Sequence, residues 1–405
     1  MFRRVLLYCL VAAALSLPAV AVEFAAAAAP EEGSPCIGCH QKVTPGIVRD
    51  FKASLHAKTL YCTSCHGSSH RTGEDVAAAK LPTAKTCGGC HRERFQQFSA
   101  GKHALAWEAM EAMPSTGLQP HAFIFGLKGC GGCHKIGLRQ EVATPGERRY
   151  GTPCDSCHTR HRFSRAEALS PMACRTCHMG FDHAQWEMWS SSKHGVIYQL
   201  EGPGRAPSCQ TCHLQGGNHR NITAWGFLGL RLPEPDKEWL GWRTTILKGI
   251  GVLTPDGQPT PRLEAVKKLN VARLTAEAWQ QERDKMLDTC AQCHARGYAK
   301  ASLEAGDAML READKLTAGA IDTVAGLYKD KLLTGPGGYP DVLTFYNAKS
   351  PIEQTLYVMF LEHRNRTFQG AFHLNPDYAT WYGLAELHRD VVEIGNEAER
   401  MRGKK

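Results

Sequence analysis

The chain has 405 residues and a formal net charge of +8, and it contains 17 cysteines and 19 histidines. Its apolar content of 43% is ordinary for a globular protein, which argues against a disordered or fibrous chain. A polypeptide of this length could bury one or two cores of ordinary size. Beyond the N-terminus, no segment is apolar enough to span a membrane.

Residues 1–29 have the composition of a secretory leader. Arg3 and Arg4 form a basic start, residues 5–22 are apolar, and Ala19-Val20-Ala21 offers a small-x-small cleavage site. The sequence therefore predicts a signal peptide that is removed after export, with a retained membrane anchor as the alternative. Cys9 comes too early for a lipid-attachment site.

One five-residue motif, Cys-x-x-Cys-His, occurs eight times in the rest of the chain. In chain order, motifs 1 to 8 are Cys36–His40, Cys62–His66, Cys87–His91, Cys130–His134, Cys154–His158, Cys174–His178, Cys209–His213 and Cys290–His294. Two cysteines three apart lie on the same side of one helical turn, where they can bond to the two vinyl groups of one haem. The histidine that follows then lies under the ring as the proximal iron ligand.

The pattern predicts covalent attachment of eight c-type haems. The attachment residues are Cys36, Cys39, Cys62, Cys65, Cys87, Cys90, Cys130, Cys133, Cys154, Cys157, Cys174, Cys177, Cys209, Cys212, Cys290 and Cys293, and the proximal ligands are His40, His66, His91, His134, His158, His178, His213 and His294. Zinc sites and a disulfide framework are the alternatives, but neither explains a histidine directly after every cysteine pair. Export fits this chemistry, because c-type attachment occurs outside the cytoplasm, so the predicted location is the periplasm.

The haems also account for the basic charge. Each ferric haem with two propionates carries about −1, so eight of them bring roughly −8. The excess of Lys and Arg then serves mostly as internal counter-charge, and nothing supports nucleic-acid binding. Arginines close to the motifs are suited to propionate pairing: Arg92, Arg94, Arg160, Arg162 and Arg175.

Taken in order, the segments predict a mainly α fold with little regular strand. Gly and Pro punctuate residues 30–220, which indicates short helices joined by turns. Residues 221–262 are expected to form an irregular connection, and 263–298 a helix leading into motif 8. Apolar residues at helical spacing follow in 299–329, and further helices are expected at about 350–370 and 381–401, separated by a loop over 373–378. The predicted domains are a haem-packed domain, 30–298, and a C-terminal helical bundle, 299–405, which could join subunits.

Eleven histidines lie outside the motifs: His56, His70, His103, His121, His161, His183, His194, His219, His363, His373 and His388. A haem that only transfers electrons takes a second axial ligand, whereas a catalytic haem keeps that position open for substrate. Eleven spare histidines are enough for all eight irons. The count therefore leaves open whether one haem is free.

The surroundings of the motifs resemble the octahaem hydroxylamine oxidoreductase family. The likeness rests on His-Thr-Arg-His-Arg-Phe-Ser at 158–164, Gly-Phe-Asp-His at 180–183, Ser-Lys-His-Gly at 192–195, His-Arg-Asn-Ile-Thr at 219–223 and His-Leu-Asn-Pro at 373–376. These segments stand in the same order as in that family.

The resemblance implies a role for individual residues. Motif 4 corresponds to the catalytic haem, with His134 below it and Asp182 and His183 as an acid/base pair over an open side. The alternative for Asp182 and His183 is one more haem ligand with a propionate neighbour. The distal ligands of the other seven haems would be His56, His70, His103, His161, His194, His219 and His373.

The resemblance also bears on the direction of the reaction. Oxidising members of the family crosslink a tyrosine from a neighbouring subunit to the catalytic haem. Here Tyr378 and Tyr382 are present, but the aligned position falls near Thr380 and Trp381. The chain therefore resembles the reductive branch, which converts hydroxylamine or nitrite to ammonium.

Three functions follow as hypotheses. The first is an oxidoreductase that reduces hydroxylamine, nitrite or both at motif 4, as a homotrimer supplied by a quinol-linked or soluble cytochrome c partner. The second is oxidation of hydroxylamine or hydrazine on the same scaffold. The third is an electron-transfer cytochrome without catalysis, in which all eight irons have two protein ligands.

Overall fold

A computed structural model describes residues 34–111, 129–137, 153–224, 236–263, 275–344 and 348–403. The predicted signal peptide and His121 lie outside these residues. The fold is mainly α, as predicted. The only β pairing in the described ranges is an isolated antiparallel bridge between Leu253 and Pro259. No helix in these ranges is both long and apolar enough to cross a membrane.

The part of the chain that carries motifs 1 to 7 consists of short helices joined by turns. They are Pro35–Val43, Pro45–Lys52, Cys62–His66, Ala84–Gly88, Arg92–Ser99, Ala106–Glu111, Gly131–His134, Arg165–Leu169, Met172–Arg175, Gln185–Ser190, Lys193–Glu201 and Cys209–His213. Single 3-10 turns lie between them, including His56–Lys58, Lys102–Leu105 and Cys154–Ser156.

Each motif forms one helical turn because its local hydrogen bonds favour that shape. In motif 4, the backbone N–H of His134 donates to the carbonyl of Cys130 over 2.9 Å, and motifs 3, 6 and 8 repeat this bond. Before motif 7, Ser208 and Thr211 form a reciprocal capping box at the start of the helix. The spacing therefore brings both cysteines and the histidine to one side of the turn.

The segment between motifs 7 and 8 is more ordered than predicted. The expectation of an irregular connection over 221–262 is wrong for Lys237–Gly249, which forms a helix capped by the Asp236 side chain. The helix expected over 263–298 is observed as Ala276–Cys290, and residues 264–274 of that expectation lie outside the described part. Pro233 and Pro235 precede the Asp236 cap, so here proline stands before a helix start and does not mark an unstructured stretch.

The C-terminal part contains the predicted long helices. Arg296–Lys329 is a single helix, and the apolar pattern seen in the sequence buries Leu303, Leu310, Ile321 and Val324 on one face. The other helices are Pro351–Val358, Arg364–Phe372, Pro376–Ala379 and Ala385–Met401, with π-helical turns at Met359–His363 and Thr380–Leu384.

The loop expected over 373–378 is shorter than predicted. Asn375 caps a helix that begins at Pro376, and the π-helical turn joins this helix to the last one. A proline in the first turn of a helix needs no hydrogen-bond donor there, so the Asn-Pro pair starts a helix.

The main apolar core lies among these C-terminal helices, and the helix Lys237–Gly249 contributes to it through Ile246 and Leu247. Within the same region, Asp314 is fully buried and accepts hydrogen bonds from Trp239, Arg243 and Arg364 over 2.7, 2.9 and 2.8 Å. This charge network holds Arg364 at the start of the helix Arg364–Phe372. The same helix ends directly before His373. The domain boundary at residue 298 stays a prediction.

Candidate haem sites

Every motif histidine faces one histidine from elsewhere in the chain. The pairs for motifs 1 to 8 are His40–His70, His66–His161, His56–His91, His134–His183, His158–His219, His103–His178, His213–His373 and His194–His294. The ring centroids within each pair lie 6.0 or 6.2 Å apart.

This separation fits a haem iron between the two rings. With metal–nitrogen bonds of about 2.0 Å on both sides, the two centroids would stand roughly 6 Å apart. The cysteines fit as well, because all sixteen cysteines of the motifs are free thiols. The residues that are present therefore suit c-type haem, with thioether bonds from the cysteines and axial bonds from the imidazoles.

Hydrogen bonds to Nδ1 orient several of these rings. The Nδ1 of His134 is 3.0 Å from the carbonyl of Ala106, and that of His66 is 3.0 Å from the carbonyl of Lys80. An imidazole that donates from Nδ1 presents Nε2 to a metal. The rings are therefore held in the orientation that axial ligation requires.

A side-chain network links motifs 6 and 7. The Nδ1 of His178 bonds to Gln185 Oε1 over 3.3 Å, and Gln185 Nε2 donates to Gln369 Oε1 over 2.9 Å. The carbonyl of Gln369 in turn accepts from His373 Nδ1 over 2.7 Å. The proximal histidine of one motif and the facing histidine of the next are thus positioned by one set of contacts.

Contacts between thiols give the order of the motifs in space. Cys154 raises the pKa of the Cys87 thiol, Cys209 that of Cys174, and Cys177 that of Cys133, so the members of each pair lie close together. Electrostatic interactions between thiols pair Cys36 with Cys62, Cys65 with Cys87, Cys157 with Cys174, and Cys212 with Cys290. Motifs 1, 2, 3, 5, 6, 7 and 8 therefore follow one another in a line, which we call the main line.

Motif 4 stands beside this line. The Sγ of its Cys133 lies 3.8 Å from the carbonyl oxygen of Thr176 in motif 6, and His183, which faces His134, interacts electrostatically with His178 of motif 6. The interactions between motif 4 and another motif that the described residues show thus lead to motif 6. A haem at motif 4 would form a side branch.

The histidine that faces His134 comes from the segment singled out by the sequence. His183 Nδ1 lies 2.5 Å from Asp182 Oδ1, and the centroid of its ring lies 6.2 Å from that of His134. Asp182 and His183 are therefore together, and they face the predicted haem. The separation is the one that two direct bonds to an iron between the rings would give, so by itself it favours an axial ligand. A group that meets a bound substrate would have to stand farther from His134.

The loop that carries Asp182 and His183 is held by contacts of the two residues before them. The backbone N–H of Gly180 donates to Glu187 over 3.0 Å, and Phe181 stacks on Tyr357 with a centroid distance of 5.8 Å. Gly180 has a φ of +94°, a conformation that favours glycine. These contacts explain why Gly-Phe-Asp-His is a useful signature.

Electrostatics distinguish His183 from other histidines of these pairs. Burial lowers the pKa of His103 to about 4 and that of His213 to about 3. Burial also acts to lower the pKa of His183, but the hydrogen bond and charge of Asp182 outweigh it, so this pKa is raised. Asp182 thus favours the protonated imidazole.

The remaining predicted residues fall into two groups. Tyr378 and Tyr382 stack on each other with a centroid distance of 4.9 Å, and Trp381 and Tyr382 are exposed. His363 is buried with its Nδ1 2.5 Å from Asp390, and His388 is exposed, so neither belongs to a facing pair.

Sequence reasoning missed several residues that support the sites. Asn375 is buried, and its amide donates to the carbonyl of Met188 and to Ser191, which joins the C-terminal helices to the helix Gln185–Ser190. The His-Leu-Asn-Pro segment contained this signal. Asp75, whose carboxylate lies 2.7 Å from His70 Nδ1, was also missed, and its position five residues after the histidine gave no obvious sign.

The paired imidazoles and the eight motifs define a c-type multihaem cytochrome. A family model described as "Seven times multi-haem cytochrome CxxCH" matches residues 58–228 and 263–338, which is more than half of the chain. The chain belongs to this family, and it carries covalently bound c-type haems.

Comparison with curated proteins supports the resemblance found in the sequence. The chain is 26% identical, over 480 residues, to a probable nitrite reductase–hydroxylamine oxidoreductase fusion protein from Kuenenia stuttgartiensis. The match covers 91% of this chain and 51% of the relative, so the chain spans about half the length of that protein. The prediction of a hydroxylamine oxidoreductase-like multihaem cytochrome is confirmed.

Two solved structures share the fold. A reducing HAO-like protein complex from Kuenenia stuttgartiensis matches with a TM-score of 0.68 and 24% identity, over 91% of this chain and 84% of that one. A hypothetical multihaem protein matches with a TM-score of 0.67 and 19% identity, over 91% of this chain and 95% of that one.

Proposed function

We propose that the protein binds one haem at each of its eight motifs and reduces hydroxylamine, nitrite or both to ammonium at motif 4. The observation that carries this proposal is the position of motif 4. It lies beside motif 6 but is not itself one of the successive motifs of the main line. A haem with one neighbouring haem can exchange electrons only with that neighbour or with a molecule bound at its own site. A haem on a side branch is suited to deliver electrons to a bound substrate.

The haem would supply an iron that binds the substrate nitrogen and a path for the electrons that reduce it. The protein supplies protons and orientation. Conversion of hydroxylamine to ammonium takes up two electrons and three protons, breaks the N–O bond and releases water. The leaving oxygen therefore needs a proton at the moment the bond breaks.

We propose that His183 provides that proton, with its ring farther from His134 when substrate is bound than the 6.2 Å seen here. Its Nδ1 is held by Asp182, so Nε2 is the nitrogen left to face the substrate above His134. The Asp182 carboxylate stabilises the protonated ring and fixes its orientation. Asp182 and His183 would then act on the substrate, and His134 would hold the haem iron.

The choice of substrate and direction rests on two further points. The curated relative has nitrite reductase and hydroxylamine oxidoreductase in its name, which favours a small nitrogen compound. Tyr378 and Tyr382 flank the position aligned with the crosslinking tyrosine of oxidising enzymes, and that position itself falls near Thr380 and Trp381. The reductive direction follows from the absence of tyrosine there.

An electron-transfer cytochrome without catalysis is the second candidate function. It is favoured by the His134–His183 separation of 6.2 Å, which equals that of His158–His219 and His213–His373 on the main line. The carboxylate on His183 does not decide the matter, because His70 of motif 1 has one too. In this case His183 would be the eighth distal ligand.

The assay that separates the two functions uses purified holoprotein with reduced viologen and either hydroxylamine or nitrite, and it measures ammonium. Ammonium formation by the wild type, and its loss in His183→Ala with all haems retained and no new high-spin haem, supports the proposal. His194→Ala is the matched control, because it removes an imidazole from a main-line pair and should create one high-spin haem. No ammonium from either substrate, or a high-spin signal in His183→Ala like that of the control, contradicts it.

The proposal extends to location and partners. The protein would act in the periplasm as a homotrimer and receive electrons from a quinol-linked or soluble cytochrome c. Mass measurement of the native holoprotein tests the trimer, and a mass near that of a single chain with eight haems contradicts it.

A further inference from the structure

The hydrogen-bond partners of the paired histidines differ in charge. Neutral groups contact the Nδ1 of most rings for which a partner is known: Thr44 Oγ1 at His40, the carbonyl of Gly217 at His219, Gln185 at His178 and the carbonyl of Gln369 at His373. On the main line, His70 of the motif 1 pair differs. Its Nδ1 lies 2.7 Å from the carboxylate of Asp75.

Asp75 is held in place by the turn that carries His70. Its carboxylate accepts hydrogen bonds from the backbone N–H groups of Arg71 and Thr72 over 2.9 to 3.0 Å. The carboxylate is thus oriented by backbone donors of the same turn, and its distance from the ring is set locally. The contact with His70 is therefore part of the folded turn and does not depend on distant packing.

A carboxylate on Nδ1 makes an imidazole a stronger electron donor. The proton shared with the carboxylate leaves more negative charge on the ring, which stabilises ferric iron relative to ferrous iron. The haem then has a lower reduction potential. A neutral partner such as Thr44, on the other histidine of the same pair, lacks this effect.

The position of motif 1 determines what a lower potential of its haem would do. Motif 1 lies at one end of the main line, with Cys36 beside Cys62 of motif 2. An electron on a low-potential haem at an end of the line moves readily to the next haem. The reverse transfer is uphill wherever the next haem has the higher potential, whichever reaction the protein catalyses.

We propose that Asp75 is a positioning residue that acts through His70 to hold the haem of motif 1 at a low potential, so that low-potential electrons reach the main line at that end. This inference concerns a residue that the catalytic proposal does not use. The effect of Asp75 on the potential of the motif 1 haem does not depend on whether motif 4 reduces nitrogen compounds.

The test is a redox titration of the full-length holoprotein, followed by paramagnetic resonance so that individual low-spin haems are resolved. In Asp75→Asn we expect one haem component to become about tenfold easier to reduce, which is about 59 mV for one electron, with the others unmoved. His70→Met identifies the component, because a thioether ligand raises the potential of the same haem. Asp75→Ser, a second neutral replacement, should move it in the same direction.

Glu74→Gln is the matched control, because it removes the same charge one residue away from the His70 contact. It should shift the component far less than Asp75→Asn does. The inference is overturned if no component moves in Asp75→Asn and Asp75→Ser, or if Glu74→Gln moves it equally. A new high-spin haem in Asp75→Asn would also overturn it, because Asp75 would then only hold the turn that carries His70.

Discussion

Replacement of Asp314 by Asn tests the charge network beneath the helix that ends beside His373. Asp314 is fully buried, as is Arg364, and Arg243 is only 3% exposed. Asparagine has nearly the same shape and can still accept the hydrogen bond of Trp239. It removes a negative charge that pairs with both guanidinium groups.

The size of the effect follows from burial. Removing one partner of a buried ion pair leaves an uncompensated charge and costs about 3–5 kcal/mol. Because two buried arginines lose the charge of Asp314 here, we expect the free energy of unfolding of Asp314→Asn to fall by about that amount. The helix Arg364–Phe372 should loosen as well, and His373 with it.

The same network predicts a dependence on pH. Burial acts to raise the pKa of Asp314, but the charges of Arg364 and Arg243 outweigh it and lower the pKa. A lowered pKa contributes stability that is complete above the unfolded value of about 3.9 and is lost as pH falls through the folded value. The difference in stability between the wild type and Asp314→Asn should therefore shrink on acidification below about pH 4.

Guanidinium denaturation of the holoprotein, followed by far-ultraviolet circular dichroism at pH 7 and at lower pH, measures this effect. Glu312→Gln is the control, because Glu312 lies on the same helix and pairs with an exposed lysine, Lys315, over 3.3 Å. It should change stability by less than about 0.5 kcal/mol. If Asp314→Asn is as mild as this control, the argument from buried charge is wrong.

Three further predictions concern the sites. Asp182→Asn should retain every haem but lower turnover of hydroxylamine by about 100-fold or more, because the His183 proton loses its anionic partner; unchanged turnover would exclude this role. In Gly195→Ala the added Cβ would lie 2.0 Å from the carbonyl oxygen of Trp189, so the helix carrying His194 must shift. One high-spin haem should then appear in the paramagnetic resonance spectrum. Gly204→Ala, with open space around the added Cβ, should leave the spectrum unchanged. Asn375→Ala leaves buried groups at Met188 without a partner and should lower the free energy of unfolding by about 1–3 kcal/mol in chemical denaturation; a smaller loss than 0.5 kcal/mol would contradict the joining role.

Local pattern made much of this protein predictable. The motifs specify their own helical turns, because the cysteines and the histidine of each motif interact within five residues. The long helix Arg296–Lys329 was equally accessible, because its apolar residues repeat with the helical period. Local rules were less reliable at prolines. Pro235 stands before the helix Lys237–Gly249, in a stretch predicted to be irregular. Pro376 begins a helix in a stretch predicted to be a loop.

Pairing of the histidines could not be read from the sequence. His103 faces His178, and His213 faces His373, across long stretches of chain that only the tertiary fold brings together. The resemblance supplied a set of seven distal histidines without partners, and the geometry now gives each one a partner. The side-branch position of motif 4 is also a long-range property, because motif 4 precedes motif 5 in the chain but contacts motif 6.

The most direct test of the proposed catalytic haem is the number of irons that accept an added ligand. Ferric holoprotein is titrated with nitrite or cyanide while high-spin and low-spin haems are counted by paramagnetic resonance. The proposed function predicts that one haem per chain binds the ligand, that His194→Ala raises this number to two, and that His183→Ala leaves it at one. Eight low-spin haems that bind neither ligand in the wild type, with one new binding site in His183→Ala, would show that His183 is an axial ligand and that motif 4 is not the site of catalysis.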